Sequence, residues 1–288
     1  MIGILNILKP TGMTSHDVVN TVRKILNIKK IGHAGTLDPN AAGVLVICVG
    51  KATKFSEYLM NGDKEYVCEL ILGQSTDTQD SYGIVTNKIE KVSVTMAELN
   101  EVLKEFTGEL IQIPPAYSAV KLKGKKLYEY ARQNIQVEKQ GRKVNIKSIK
   151  LLKYKGKSAL IKVKCSKGTY MRTLCNDIGN SLGTYGHMGV LIRTESKGLH
   201  INNSVTLQQL GFLHDNNRLN ECLIPVEDIY KLDKITVESK YYDRLTAGNE
   251  VDAGINTKND EIYVYCRDKL IGIGKTIDDK VKIDKMLI

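Results

Sequence analysis

The chain has 288 residues, is 42% hydrophobic and 26% charged, and carries a formal net charge of +10. That fits one large globular domain or a large and a small one; no apolar stretch reaches membrane-spanning length, and the opening MIGILNILKP has neither the basic start nor the cleavage site of a secretory signal. The six cysteines (48, 68, 165, 175, 222 and 266) form no C-x-x-C pair, so we expect buried, reduced thiols in a cytoplasmic protein rather than disulfides or a metal site.

The pattern opens with a short apolar strand, ILNIL, broken at Pro10-Thr11-Gly12. Thr14 or Ser15 then caps a helix whose Val18, Val19, Val22, Ile25 and Leu26 share one face. Residues 41–50 carry no charge and read as a buried strand, and YVCELIL (66–72) as another. GQSTDTQDSYG is a polar turn region, and Thr95 caps a helix that ends at Thr107-Gly108. Two prolines keep IQIPPAYSAVK extended. A short helix over 126–133, a basic strand-like stretch over 135–155 and the alternating strand ALIKVKC follow. Ser166-Lys167-Gly168 makes a turn, and a helix runs from Tyr170 to Leu182. The domain boundary is expected near residue 231, after which EIYVYCR and KLIGIGK are short strands.

The charge is concentrated. Lys121 to Arg172 holds 17 Lys and Arg against two acids, a block of +15, so the remainder is about −5 by difference. Such a block, interleaved with Tyr117, Tyr128, Tyr130, Tyr154 and Tyr170, suits a phosphate backbone better than a merely solvated surface.

Individual motifs are ambiguous. GVLVICVGKAT superficially resembles a phosphate loop, but six residues separate Gly43 from Gly50 instead of four, and Ala52 stands where Ser or Thr should be. Asp38, in Leu37-Asp38-Pro39, is either a turn-former or a reagent at the mouth of the uncharged run. His33, Tyr66 and Arg172, each taken alone, read as structural or surface residues.

Taken as a set they are more specific. KPTGMTS (9–15), GHAGTLDPNAAGVL (32–45), PPAYSAVKLKGKKLYEYAR (114–132) and GTYMRTL (168–174) resemble, in order and approximate spacing, the TruB family of bacterial tRNA pseudouridine-55 synthases. The resemblance covers residues 2 to about 230; the tail more loosely resembles a small PUA-like RNA-binding domain. It implies an α+β fold in which a central, largely antiparallel mixed sheet is flanked by helices. It places a catalytic domain at 1–230, with an inserted basic thumb at about 121–150, and a β-rich domain at 231–288. It implies Asp38 as the catalytic nucleophile or base, Arg172 as its partner, and His33, Tyr66, Tyr170 and Leu191 as base contacts, with Tyr66 also moving a proton. Lys9, Lys123, Lys125, Lys126 and Arg132 are expected to bind substrate.

The reaction implied is isomerisation of uridine to pseudouridine in the T loop of tRNA, by a monomer without cofactor, metal or protein partner. A uracil inside a folded loop must be flipped out to react. An ionised carboxylate must then attack the sugar or take a sugar proton, and an adjacent guanidinium would hold it ionised and oriented despite burial. The family usually has two arginines just after Leu191, whereas here Ile192 precedes Arg193, so one phosphate contact is expected to be missing. The alternatives are a non-catalytic tRNA-binding or tRNA-folding module, disfavoured by the retained Asp38, Tyr66 and Arg172, and a nucleotide hydrolase, disfavoured by the loop spacing.

Overall fold

The structure is a computed structural model that describes residues 1–133, 135–252, 254, 261–277 and 279–288. Asn134, inside the expected thumb, and residues 253, 255–260 and 278 of the tail lie outside the described residues. β1 (Gly3–Lys9) stops at Pro10, and Thr14 opens α1 (Ser15–Leu26) with a capping box closed by Asp17. Such a cap contributes about 1 kcal/mol. β2 (Ile31–His33) leads through the GTLDP loop into β3 (Ala42–Val49).

β3 explains the charge-free run. Val44, Val46 and Cys48 face one apolar cluster, which includes Tyr263, Ile273 and Leu287; Leu45, Ile47 and Val49 face another, with Val18, Val22 and Leu210. A strand covered on both faces has no position for a charge. Gly50 then starts a 3₁₀ turn, not a phosphate loop, followed by α2 (Ser56–Met60).

β4 (Lys64–Leu72) alternates buried and half-buried residues along its length. β5 (Gln74–Thr76) and β6 (Val85–Lys88) form a separate hairpin, α3 (Met96–Glu105) keeps its Thr95 cap, and β7 (Gly108–Gln112) returns to the sheet. A small hairpin, β8 (Lys121–Leu122) and β9 (Lys125–Lys126), leads into α4 (Leu127–Arg132). β10 (Arg142–Lys155), β11 (Ser158–Cys165), α5 (Met171–Ser181), β12 (Gly186–Ser196), β13 (Leu199–His200), α6 (Leu207–Asp215), β14 (Leu223–Ile224) and α7 (Val226–Ile229) complete the larger unit.

The fold is α+β. The main sheet runs β14-β1-β3-β12-β4-β11-β10-β7, with β2 on β3 and β13 on β12. Its pairs are antiparallel except β3 with β12, where Ile192 pairs with Ala42 and Arg193 with Gly43. Gly43 is required there: its φ is +111°, and a Cβ would lie 2.2 Å from the Arg193 carbonyl oxygen. The expected thumb ends too late in the sequence. From Arg142 the chain is already β10, paired to β7 and β11, because Val144 and Ile146 alternate into the core. The excursion from the sheet is therefore the β8–β9 hairpin, α4 and the residues up to 141.

After β15 (Asp233–Val237) and α8 (Tyr242–Thr246), a second, five-stranded sheet is completed by β16 (Val251–Asp252), β17 (Glu261–Cys266), β18 (Lys269–Ile277) and β19 (Lys280–Met286). It has its own apolar cluster, around Val237, Leu245, Ile262 and Ile283. It also packs on α2, where the Tyr58 hydroxyl donates to Glu261 at 2.8 Å. All six cysteines are buried and unbridged, and among the described residues no helix is long and apolar enough to cross a membrane.

Candidate active site

The loop carrying Asp38 is fixed from below on both sides. The Leu37 N–H donates to Ser15 Oγ at 2.9 Å, and the Ser15 hydroxyl donates back to the Leu37 carbonyl at 3.1 Å. Gly12 N–H donates to the Pro39 carbonyl at 2.9 Å. This is what KPTGMTS does: the break after β1 and the first residue of α1 clamp the loop that follows β2.

Two fully buried cations supply the rest. Lys9 Nζ donates to the carbonyls of Pro10, Pro39 and Ala41 at 2.8, 3.1 and 2.6 Å. Arg193 donates from Nε to Val44, from Nη1 to Thr36 and from Nη2 to Gly35, at 2.7, 3.3 and 3.1 Å. Lys9 is expected from the resemblance to bind substrate, and the structure corrects this. An ammonium has three hydrogens, and all of those on Lys9 are spent on backbone. Arg193 is enclosed between β3 and β4. The two cations serve the loop, not a phosphate. Burial pushes the Lys9 pKa down to about 8, against the pull of Asp38.

Above the loop, Arg172 grips Asp38 with two nitrogens: Nε lies 3.0 Å from Oδ2, and Nη2 donates to Oδ1 at 3.4 Å. Nη2 also donates to the Tyr117 carbonyl at 3.0 Å and Nη1 to the Thr78 carbonyl at 3.4 Å. The expectation of a buried aspartate is inverted. The Arg172 side chain is 7% exposed and the Asp38 side chain 42%. The guanidinium is the desolvated partner, and the carboxylate stands open to substrate with a lone pair to spare on each oxygen. Arg172 sits in the first turn of α5, behind Tyr170, whose backbone N–H and C=O are both bonded to the Gln112 side chain.

Tyr66 and Leu191 come from neighbouring strands. Tyr66 pairs in register with Arg193 and Leu191 with Cys68, and both side chains join Leu37, Ala41 and Met171 in one apolar cluster. Burial raises the pKa of Tyr66, with Arg193 pulling it down, and burial likewise raises that of Tyr170. Both are neutral phenols at pH 7. His33, half-buried on β2, has its pKa lowered by burial and then by Arg193 and His16, so its ring is neutral too. The charge of Asp38 is felt by Lys9, Tyr66 and Tyr170.

Lys123, Lys125, Lys126 and Arg132 lie together on the β8–β9 hairpin and α4. Lys126 and Arg132 stack on the Tyr128 ring at 5.5 and 5.3 Å. This excursion grows from Tyr117, whose carbonyl Arg172 holds, so it stands beside the site. The +15 block is not one patch, however. Lys147, Lys162 and Lys164 on β10 and β11 are paired with Asp63, Glu65 and Glu195.

One residue escaped the sequence reading. Asp80 Oδ2 lies 3.9 Å from Arg172 Nη1, and its Oδ1 accepts from the Thr78 hydroxyl and the Tyr82 N–H at 2.7 and 3.0 Å. GQSTDTQDSYG read only as a polar turn; its two aspartates, three residues apart, were the available signal.

An exposed carboxylate clamped by a buried guanidinium, with the neutral phenols of Tyr66 and Tyr170 within reach of its charge and a basic hairpin beside it, suits chemistry on a polyanionic substrate such as RNA. Residues 23–171 match the model described as TruB family pseudouridylate synthase (N terminal domain), and residues 172–231 the tRNA pseudouridylate synthase B C-terminal domain. The boundary between these two matches falls inside the structural unit, since β12 is central to the main sheet. Among curated proteins, tRNA pseudouridine synthase B of Clostridioides difficile is 44% identical over 99% of both chains, and that of Staphylococcus haemolyticus is 48% identical over 83% of this chain and 81% of the relative. Among solved structures, a chain of a Cbf5-Nop10-Gar1 complex superposes with a TM-score of 0.74 at 28% identity, covering 99% of this chain and 85% of that one. A chain of an H/ACA RNP bound to a substrate RNA containing 2'-deoxyuridine gives 0.72 at 26% identity, with the same coverage. The chain belongs to the TruB family of pseudouridylate synthases.

Proposed function

We propose that the chain isomerises uridine 55 in the T loop of tRNA to pseudouridine, as a cytoplasmic monomer without a protein partner. The observation that carries this reading is the Arg172–Asp38 pair, with its buried cation and open carboxylate. The isomerisation breaks the N1–C1' bond, turns the uracil and forms C5–C1'; a proton leaves C5 and one reaches N1. Asp38 either attacks C1' or takes the C2' proton, and both roles need the outward lone pairs that Arg172 leaves free. Lys9, Ser15 and Arg193 hold the loop still, so little reorganisation is needed at the moment of reaction.

The uracil, once flipped, lies against Tyr66, Leu191 and Tyr170, an apolar and uncharged lining suited to a neutral base. His33 enters the vacated stack as a neutral ring. Tyr66 begins protonated; a phenol that accepts the C5 proton must hand its own on, and N1 is the atom that needs one. Lys123, Lys125, Lys126 and Arg132 hold the phosphates of the T arm, giving affinity and register but not base choice. Residues 231–288 act as a PUA-like RNA-binding module beside the catalytic unit of 1–230.

The test is position-resolved pseudouridine mapping on an unmodified tRNA transcript incubated with the protein alone. Conversion confined to uridine 55 is expected. Full-length binding with no conversion, or conversion elsewhere, would overturn the proposal.

A further inference from the structure

We propose that Tyr82 is a stacking platform for an unpaired base of the substrate RNA, next to the nucleotide that enters the pocket. The inference rests on the reading above that the site acts on a flipped uridine.

Of the 14 tyrosines, Tyr82 is the only one that is exposed, at 69%. Two residues on, Ile84 is 77% exposed, the highest value among the described large hydrophobic residues. Two such side chains, two residues apart on a polar turn, offer apolar surface to a partner. Their position identifies it. The Tyr82 N–H donates to Asp80 Oδ1 at 3.0 Å, while Asp80 Oδ2 faces Arg172. Tyr82 is thus one carboxylate and one guanidinium away from Asp38.

The loop is also built to hold that tyrosine outward. Ile84 N–H donates to Asp77 Oδ1 at 2.7 Å, and Asp77 N–H to the Ile84 carbonyl at 3.1 Å. Ser81 N–H donates to the Met188 carbonyl, and Met188 N–H to that of Gln79, tying the loop to β12, the strand of Leu191. The Thr173 hydroxyl donates to Gln79 Oε1, tying it to α5 beside Arg172. At Gly83 a Cβ would come within 2.3 Å of both Asp77 Oδ1 and Thr78 Oγ1, so the turn closes too tightly for a larger residue. A large aromatic ring on a rigid, solvent-facing turn at the rim of an RNA site is the geometry of a base-stacking contact, which tolerates any base because each presents a π-face. A phosphate would call for a cation, and the titratable side chains of this turn are acidic: Asp77 and Asp80 repel backbone and favour a base.

The test uses the full chain and separates the ring from its hydroxyl. Wild-type protein is first shown to form pseudouridine in a T-arm stem-loop, which settles the underlying reading independently. Tyr82→Ala should then raise KM about 10-fold, within the roughly 5- to 150-fold span of one base–aromatic stack, with kcat and the salt slope of binding unchanged. Tyr82→Phe should match wild type. In stem-loops carrying 2-aminopurine at single loop positions, one position should be quenched by wild type and Tyr82→Phe but not by Tyr82→Ala. An unchanged KM in Tyr82→Ala overturns the proposal, as does a Tyr82→Phe variant as weak as Tyr82→Ala, which would assign the hydroxyl. A Tyr82→Ala variant altered only in sedimentation would assign the patch to protein association and overturn it as well.

Discussion

Replacing Arg172 by Lys keeps the charge and removes the fork. The guanidinium makes two contacts to Asp38, at 3.0 and 3.4 Å, and donates to the carbonyls of Tyr117 and Thr78 at 3.0 and 3.4 Å, with Asp80 at 3.9 Å. A single ammonium nitrogen can keep one carboxylate contact; it cannot also span to Tyr117, Thr78 and Asp80. A hydrogen bond to a charged group is worth about 1.5–3 kcal/mol. Losing the second carboxylate contact and the two struts that aim the first should raise the barrier by about 3–4 kcal/mol, or a fall in kcat of about 10²- to 10³-fold. Affinity should move less than about threefold, because a side chain 7% exposed cannot reach phosphate. The assay is single-turnover conversion at saturating enzyme beside a filter-binding titration, with a urea melt to verify folding. Because the pair acts as a unit, adding Arg172→Lys to an Asp38→Asn background should cost little more. Weaker tRNA binding with kcat intact would place Arg172 among the phosphate contacts and refute the clamp.

Tyr66→Phe keeps the ring and removes the hydroxyl, so kcat should drop about 10²- to 10⁴-fold with binding nearly intact; a near-wild-type rate would reduce Tyr66 to a platform. Replacing Lys123, Lys125, Lys126 and Arg132 by Gln should raise KM, leave saturated kcat, and flatten the plot of log K against log salt by about 0.7–0.9 for each phosphate no longer neutralised; an unchanged slope would make these cations solubilising only. Lys9 gives a pH signature. Its folded pKa, about 8, lies below the ordinary 10.5, so the native state binds fewer protons than the unfolded chain between those values. The penalty to folding is then fully present below about pH 8 and is relieved as pH rises to 10.5. Activity should move the other way: a neutral amine has two hydrogens for three carbonyls, so kcat should fall through one ionisation near pH 8 while the protein stays folded. Lys64, also lowered to about 8 by burial and then by Arg193, donates to the carbonyls of Met60 and Gly62, so Lys64→Met serves as the control and should leave the pH profile unchanged; the raised Tyr66 and Tyr170 titrate above this range. A flat kcat profile to pH 9.5 would show that the Lys9 charge is not needed.

Local structure was legible where one face or one cap decides it. A cap at Thr14 or Ser15, the cap at Thr95, the helix behind Tyr170 and the uncharged β3 follow from spacing and side-chain chemistry alone; the structure decides the first for Thr14. What the sequence hides is the destination of a charge. Lys9 and Arg193 resemble surface cations in a string of letters; only the parallel pairing of β3 with β12 and the closure of the loop over Pro39 show that backbone carbonyls consume them. The burial of Arg172 rather than Asp38 is hidden for the same reason, since both are one contact seen from two sides. Asp80 reads as turn chemistry because its partner lies 92 positions away in sequence, on α5. The resemblance carries the thumb to about residue 150, whereas the structure ends it before Arg142, because Val144 and Ile146 alternate with the lysines of β10 and enter the core.

The chemistry assigned to this site turns on Asp38, and its isosteric replacement is the sharpest probe. In Asp38→Asn the loop keeps its Lys9, Ser15, Gly12 and Arg193 contacts, since all of them fall on backbone atoms. Single-turnover mapping at uridine 55 should detect no pseudouridine with this variant at enzyme concentrations where wild type converts the transcript fully, while the Kd for tRNA stays within about threefold. Conversion by Asp38→Asn at a rate comparable to wild type would contradict the assignment of Asp38 as nucleophile or base.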